Sequence, residues 1–210
     1  MIEVISITLV IIGALIGAGF ASGQEIFSFF YIYGKNGIYG ILIMSILIGI
    51  FIYKSLKIIY QKQVYNYNDF LNLFIKNTKI RNVILWIVNV LLLVSFYIMV
   101  AGFGAYFEQE IGINRIIGSI VLNLLCVIVF FSNIKGVLKA SNFIVPFLIF
   151  FIFFIGIKNI VQIRTIDFYQ MKNNWILSML IYNSYNFILL MPVLISLKKQ
   201  ITKEKNIKKV

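Results

Sequence analysis

Histidine is absent from this chain of 210 residues, and cysteine occurs once, as Cys126 in the middle of an apolar run. Without histidine the chain lacks the usual proton shuttle and the commonest protein ligand for metal ions. A single cysteine excludes disulfides and cysteine-based metal clusters within one chain. The hydrolase motifs His-Glu-x-x-His and Gly-x-Ser-x-Gly are also missing. We therefore expect no enzymatic activity and no cofactor.

Charge is equally scarce, because only 12% of the residues are charged while 61% are hydrophobic. A soluble domain of this length would not be so apolar, so the composition predicts an integral membrane protein whose main partner is the lipid bilayer. The net charge of +12 does not indicate nucleic-acid binding. The lysines collect in the gaps between apolar runs, and the lysine-rich tail has no interleaved aromatic residues.

The fold class predicted from the apolar runs is an all-α membrane protein with six transmembrane helices, each needing about 20 residues. The predicted segments are 4–33, 38–53, 82–107, 116–131, 143–157 and 175–197. Residues 62–79 carry an apolar stripe at three- and four-residue spacing, which favours a short amphipathic helix on the membrane surface over a polar loop with scattered aromatics. Residues 198–210 form a basic tail, expected to be solvated or bound to lipid headgroups.

Lysine and arginine are distributed unevenly between the two sides that these six segments define. Of the 19 basic residues, 14 fall in the gaps on the side of both termini and the other 5 fall on the opposite side. The opposite side holds Lys35, Arg115, Lys158, Arg164 and Lys172. By the positive-inside rule both termini are cytoplasmic.

The first segment contains an unusual run, Gly13-Ala-Leu-Ile-Gly17-Ala-Gly19-Phe-Ala-Ser-Gly23-Gln24-Glu25. A continuous helix over 4–33 would span roughly 45 Å, more than the hydrocarbon thickness of about 30 Å. The glycines fit either close helix packing or an unwound backbone near the bilayer centre. Packing does not explain Gln24 and Glu25, since a carboxylate at bilayer depth is costly and usually functional. We therefore predict a site there.

The sixth segment holds a second polar run, Tyr182-Asn183-Ser184-Tyr185-Asn186, followed by Pro192. Amides and hydroxyls in mid-membrane need partners from another helix, from water or from a ligand. From this segment alone, interhelical hydrogen bonding explains them best. Pro192 removes a backbone donor, which favours a kink nearby.

Together these residues resemble a known family. Gly-Ala-Gly-Phe-Ala-Ser-Gly-Gln-Glu at 17–25, Tyr33-Gly34-x-x-Gly37, and Tyr182-x-Ser184-Tyr185-Asn186 with Pro192 are similar to the YkvI-type bacterial membrane proteins. These are relatives of the amino acid–polyamine–organocation transporters, which have the LeuT-like fold. That fold has two inverted repeats of five helices, and its first and sixth helices are broken around the substrate site.

The resemblance implies a site for a small polar solute, such as an amine or amino acid, with H⁺ or Na⁺ as the coupling ion. Its residues would be Gly17, Ala18, Gly19, Phe20, Ser22, Gln24, Glu25, Asn183, Ser184, Tyr185 and Asn186. Because the chain ends after the sixth helix, we expect a truncated or split member, in which a second chain supplies the missing helices. The alternative is a non-transporting protein: a remnant, a receptor-like protein or a subunit that requires a partner.

Overall fold

The computed structural model describes residues 2–17, 23–162, 172–201, 204–207 and 210. Within these residues the chain forms helices and no strand. The α-helices are α1 (Ile2–Leu15), α2 (Gln24–Ile26), α3 (Lys35–Gln61), α4 (Tyr67–Asn72), α5 (Thr78–Tyr106), α6 (Arg115–Phe131), α7 (Asn133–Gln162), α8 (Trp175–Ser196) and α9 (Glu204–Ile207). A π-helical turn continues α2 over Phe27–Tyr31, and another continues α5 over Phe107–Ile111.

Four helical stretches are long and apolar enough to cross a membrane, which confirms the class of protein predicted from the composition. They are Lys35–Gln61, Thr78–Ile111, Asn133–Ile160 and Trp175–Gln200. Two further apolar helices among the described residues, Val4–Leu15 and Arg115–Phe131, are shorter. The chain is therefore a multi-pass helical membrane protein.

The first predicted segment is not one continuous helix. α1 ends at Leu15, Gly17 lies outside any helix, and α2 begins at Gln24. Residues 18–22 lie outside the described part of the chain. Close helix packing explains Gly13 but not Gly17. A Cβ on Gly13 would lie 2.9 Å from Cγ2 of Val145 on α7, so Gly13 permits close helix packing, whereas a Cβ on Gly17 would meet nothing within 4 Å.

The predicted break in the sixth segment is wrong, because α8 runs unbroken from Trp175 to Ser196. Its polar residues do not interrupt the helix. The Asn186 amide donates to the Tyr182 carbonyl at 2.9 Å, one turn back along the same helix. Asn183 and Asn186 are both buried on the face of α8 that packs against the bundle. A carbonyl oxygen has two lone pairs, so the Tyr182 carbonyl can accept the Asn186 amide in addition to the helical N–H.

Several helices extend past the predicted apolar runs. α3 begins at Lys35 and ends at Gln61, and α7 begins at Asn133 where the apolar run begins at Phe143. Hydropathy marks only the part of a helix that lies in lipid, whereas lysines and amides at its ends continue the helix into the headgroup region. The surface helix is shorter than its 62–79 stripe: α4 covers Tyr67–Asn72 and is capped by Asn66, whose side chain accepts from the Asp69 N–H at 2.8 Å.

α8 is the central helix of the bundle. In the most apolar part of Trp175–Gln200, 44% of the residues are buried, against 6–17% in the corresponding parts of the other three long helical stretches. The larger core cluster lies where the C-terminal half of α8 meets α1 and the C-terminal end of α3. It contains Ile7, Leu56, Ile59, Leu190, Met191 and Leu194. Ile201 and Ile207 belong to the same cluster, and Gln61 donates to Glu204 at 2.7 Å. The described part of the tail therefore packs onto the bundle.

Candidate functional site

The site begins at Gly23 and α2, in the part of the first predicted segment that follows the interruption at Gly17. Gly23 adopts a left-handed conformation (φ 76°), and its carbonyl accepts the first hydrogen bond of α2, from the Phe27 N–H at 2.9 Å. A residue with a Cβ would be strained at this φ. This turn sets the direction of α2 and places Glu25 in its first turn.

Glu25 is bound to the central helix. The Tyr182 hydroxyl of α8 donates to Oε2 of Glu25 at 2.9 Å, across a separation of 157 residues in sequence. Tyr182 is almost fully buried, at 4% exposure, and Glu25 is half-buried. Glu25 is the only acidic residue within the six predicted apolar segments, so this bond joins the one carboxylate predicted to lie in the membrane to the central helix.

Aromatic rings and a second hydrogen bond hold Tyr182 and α2 together. The ring of Tyr182 lies 5.0 Å from that of Phe29 and 5.2 Å from that of Phe30, the latter edge to face. One turn before Tyr182, the Ser178 hydroxyl donates to the Phe29 carbonyl at 3.0 Å. The carbonyl of Phe29 lies in the π-helical turn, where the regular helical pattern of hydrogen bonds is altered.

The side chain of Asn183 carries a buried hydrogen-bond acceptor that no donor in the described structure satisfies. Its side chain is 4% exposed, and its Oδ1 atom has no hydrogen-bond partner among the described residues. An unsatisfied buried polar atom costs roughly 1–3 kcal/mol, and in a native structure such an atom is often a functional group. Asn186, one turn further along, is satisfied by its own helix through the Tyr182 carbonyl.

A groove of about 710 Å³ opens beside this cluster. It lies between the π-helical turn after α2 and the start of α8, and its lining includes Ser28, Phe29, Lys172, Asn173 and Ser178. Phe29 and Ser178 belong to both the groove and the hydrogen-bonded contact of α2 with α8. The groove therefore ends against the residues that surround Glu25 and Tyr182.

The structure brings only some of the predicted site residues together. Glu25, Asn183 and Asn186 lie at or beside the contact of α2 with α8, whereas Gln24, Ser184 and Tyr185 are exposed on their helices. Gly17 lies just beyond the end of α1, and its position leaves open space. Ala18, Gly19, Phe20 and Ser22 fall outside the described residues.

Sequence reasoning missed Tyr182, Ser178 and the two phenylalanines. A signal for Tyr182 was present, since a phenolic hydroxyl in a predicted transmembrane segment needs a partner and Glu25 is the one acid available in those segments. The Ser178 bond to a backbone carbonyl had no such signal. Its acceptor, the Phe29 carbonyl, lies in the last turn of a helix, where backbone carbonyls have no partner within the helix.

Comparison with known proteins gives one relative of unknown activity. The chain is 30% identical, over an alignment of 212 residues, to a protein of Bacillus subtilis (strain 168) described as the uncharacterized membrane protein YkvI. The alignment covers 95% of this chain and 58% of the relative, so the chain spans little more than half of that protein's length. No family model matches the chain, and no solved structure matches it.

Proposed function

We propose that this chain forms part of an ion-coupled secondary transporter for a small polar solute, with its binding site at the contact of α2 with α8. The observation that carries the proposal is the Glu25–Tyr182 hydrogen bond, together with the buried and unpartnered Oδ1 of Asn183, the next residue on α8. Ionisable residues at membrane depth mark substrate or ion pathways in transporters. The role is binding and translocation rather than catalysis.

The chemistry of the site favours a solute that carries an ammonium group. The Glu25 carboxylate and the Asn183 amide oxygen are both acceptors, and an amine or amino acid supplies the N–H donors that they lack. The coupling ion is H⁺ or Na⁺. Protonation of Glu25 would remove its charge and weaken its hold on an ammonium, which gives a direct route to proton coupling.

The proposed architecture is six crossings in the arrangement of a LeuT-like first half, as in the amino acid–polyamine–organocation transporters. The interrupted first segment supports it, because broken helices line the binding sites of such transporters. α1 and α2 together would make one crossing, and the 17 residues of α6 reach the lower limit of a spanning helix, about 17 residues. The unbroken α8 departs from this pattern.

Both termini are proposed to be cytoplasmic, in a bacterial cell membrane. The uneven distribution of lysine and arginine supports this orientation. The packing of Ile7 and Ile207 in one core cluster also supports it, since the two ends of the chain then lie at the same end of the bundle. Because the chain spans 58% of its relative, further helices, in the same polypeptide or in a second chain, would complete the transport unit.

The test is uptake of a panel of labelled amines and amino acids into proteoliposomes under H⁺ and Na⁺ gradients. We expect gradient-driven uptake by the protein and a loss of coupling in Glu25→Gln, which keeps the size of the side chain and removes its charge. Glu110→Gln is the matched control, because Glu110 is an exposed acid at the end of α5. Absence of uptake, or a Glu25→Gln variant that behaves like the unmodified protein, would overturn the proposal.

A second candidate is a non-transporting membrane protein, such as a partner-requiring or receptor-like subunit or a remnant. The unbroken α8 favours it, since broken helices line the binding sites of transporters of the LeuT-like type. This candidate predicts solute binding without uptake, or neither. Binding measured by equilibrium dialysis on the same liposomes separates the two candidates.

A further inference from the structure

A separate cavity of about 310 Å³ lies at the other end of the bundle from the Glu25 site. It is bounded by the start of α7, the end of α8 and the connection between α3 and α4. Its polar lining consists of Tyr65, Asn133, Ser196, Lys198 and Lys199. We refer to it as the basic cavity, because two lysines line it and none of its described lining residues carries a carboxylate.

Lys198 is the unusual residue of the basic cavity. Its side chain is 8% exposed, and within the described part of the chain its Nζ atom has no hydrogen-bond partner. The ammonium lies 3.2 Å from the centre of the Tyr65 ring. The attraction of an aromatic face is weaker than the cost of removing an ammonium from water. The ammonium therefore needs an anion.

Two acids of the chain, Asp69 and Glu204, already accept hydrogen bonds from other groups. Asp69 accepts from the backbone N–H of Tyr65 at 3.4 Å, and Glu204 accepts from Gln61 at 2.7 Å. Neither lines the cavity. The chain itself therefore does not supply the missing negative charge from either of these acids.

Two further features of the cavity favour an anion. The 30-residue helix α7 begins at Asn133 in the cavity wall. The Gly136 N–H already donates to the Ser132 carbonyl at 3.1 Å, but the N–H groups before it have no acceptor within α7 and carry partial positive charge. Lys199 adds an exposed ammonium at the rim. Backbone N–H groups at a helix start, together with lysine ammonium groups, are a common arrangement for binding phosphate.

We propose that the basic cavity binds a phosphate group, from the headgroup of an anionic phospholipid or from free phosphate. Lys198 binds the phosphate with its buried ammonium, Tyr65 holds that ammonium in place from the opposite side, and Lys199 and the start of α7 add further donors. The cavity lies at the lysine-rich end of the bundle, where anionic headgroups concentrate. Binding there would fix the end of α8, the helix that carries Tyr182.

The experiment is native mass spectrometry of the purified full chain in detergent, titrated with phosphatidylglycerol, with phosphatidylcholine, or with inorganic phosphate. We expect phosphatidylglycerol to bind more tightly than phosphatidylcholine. Lys198→Met removes the ammonium but keeps an unbranched apolar chain, and we expect it to weaken this binding about tenfold, as for loss of one charged hydrogen bond. Lys198→Arg should retain it.

Two further variants serve as a second test of the site, Lys199→Met, and as a control, Lys76→Met. Lys199 is exposed, so its variant should fold normally, and its weaker binding of phosphatidylglycerol would test the site even if Lys198→Met does not fold. Lys76 is exposed in the connection between α4 and α5 and does not line the cavity, so its variant should bind like the unmodified protein.

The lipid and free-phosphate arms distinguish the two sources. Selective loss of phosphatidylglycerol adducts in the Lys198 and Lys199 variants assigns the site to a lipid headgroup. Adducts of inorganic phosphate that depend on Lys198, with no preference for phosphatidylglycerol over phosphatidylcholine, assign it to free phosphate. Equal losses in Lys76→Met, or no binding of either phosphatidylglycerol or inorganic phosphate that depends on Lys198 or Lys199, would overturn the proposal, because either result indicates only general surface charge.

Discussion

The Tyr182 hydroxyl donates to the Glu25 carboxylate at 2.9 Å, and this bond ties the segment after the helix break to the most buried helix of the protein. The Ser178 bond to the Phe29 carbonyl, at 3.0 Å, joins the same two elements one turn away. Any movement of α2 relative to α8 must break both bonds. A solute or a proton that competes for Glu25 would therefore bias the position of α2, as alternating access requires.

Replacing Tyr182 by Phe tests the structural part of this contact. The variant keeps the ring that packs on Phe29 and Phe30 but leaves Glu25 without its donor, so the free energy of unfolding should fall by about 1–3 kcal/mol. Denaturation in detergent, followed by circular dichroism, measures the change. Tyr39→Phe is the control, because Tyr39 is 59% exposed on α3. Equal effects of the two variants would show that the Glu25 bond contributes nothing.

Replacing Asn183 by Leu separates binding from stability. Since its Oδ1 is buried without a partner, the apolar side chain should leave the unfolding free energy unchanged or raise it by up to about 1–3 kcal/mol. If Asn183 contacts the solute, uptake should nevertheless fall. Asn123→Leu serves as the comparison, because the Asn123 amide donates within its own helix, to Ser119 at 3.0 Å. A stability loss in Asn183→Leu without an uptake defect would assign Asn183 a purely structural role.

Gly13 and Gly17 should respond differently to alanine. The added methyl of Gly13→Ala would lie 2.9 Å from Cγ2 of Val145, so the contact of α1 with α7 should loosen and the unfolding free energy should fall by about 1–3 kcal/mol. The double variant with Val145→Ala should recover part of the loss. Gly17→Ala meets no atom within 4 Å and should have little steric effect. A thermal unfolding series of the four proteins measures this, and no recovery in the double variant would refute the contact.

Gly37 should be the least replaceable glycine of α3. A Cβ there would overlap the Phe30 carbonyl oxygen, which is backbone and cannot rotate away. Gly37→Ala should therefore displace the start of α3 from the Phe30 turn and reduce the yield of folded protein. Gly49→Ala lies in the same helix with nothing within 4 Å of the added methyl, and its higher helix propensity should be neutral or stabilising. Size-exclusion profiles of the two variants provide the comparison, and similar profiles would contradict the overlap.

Much of the fold was predictable from local pattern. Composition identified a membrane protein, the apolar runs located the helices, and the excess length of the first segment pointed to the break that begins after Leu15. Helix ends were less predictable. α7 begins at Asn133 because polar residues continue a helix outside the lipid, where hydropathy no longer reports it. The predicted helix at 116–131 agrees closely with α6, which the Asn114 side chain caps at its start and which ends at Phe131.

The sequence by itself determined that this protein lies in a membrane, that one carboxylate falls within its predicted apolar segments, and that two of those segments contain a run of polar residues. These are properties of composition and spacing, which the bilayer constrains directly. Only the tertiary structure decided that Tyr182 is the partner of Glu25, that Asn183 is left unsatisfied, and that α8 stays unbroken. Those outcomes depend on which face of each helix meets its neighbour, and helix packing sets that across 157 residues of sequence.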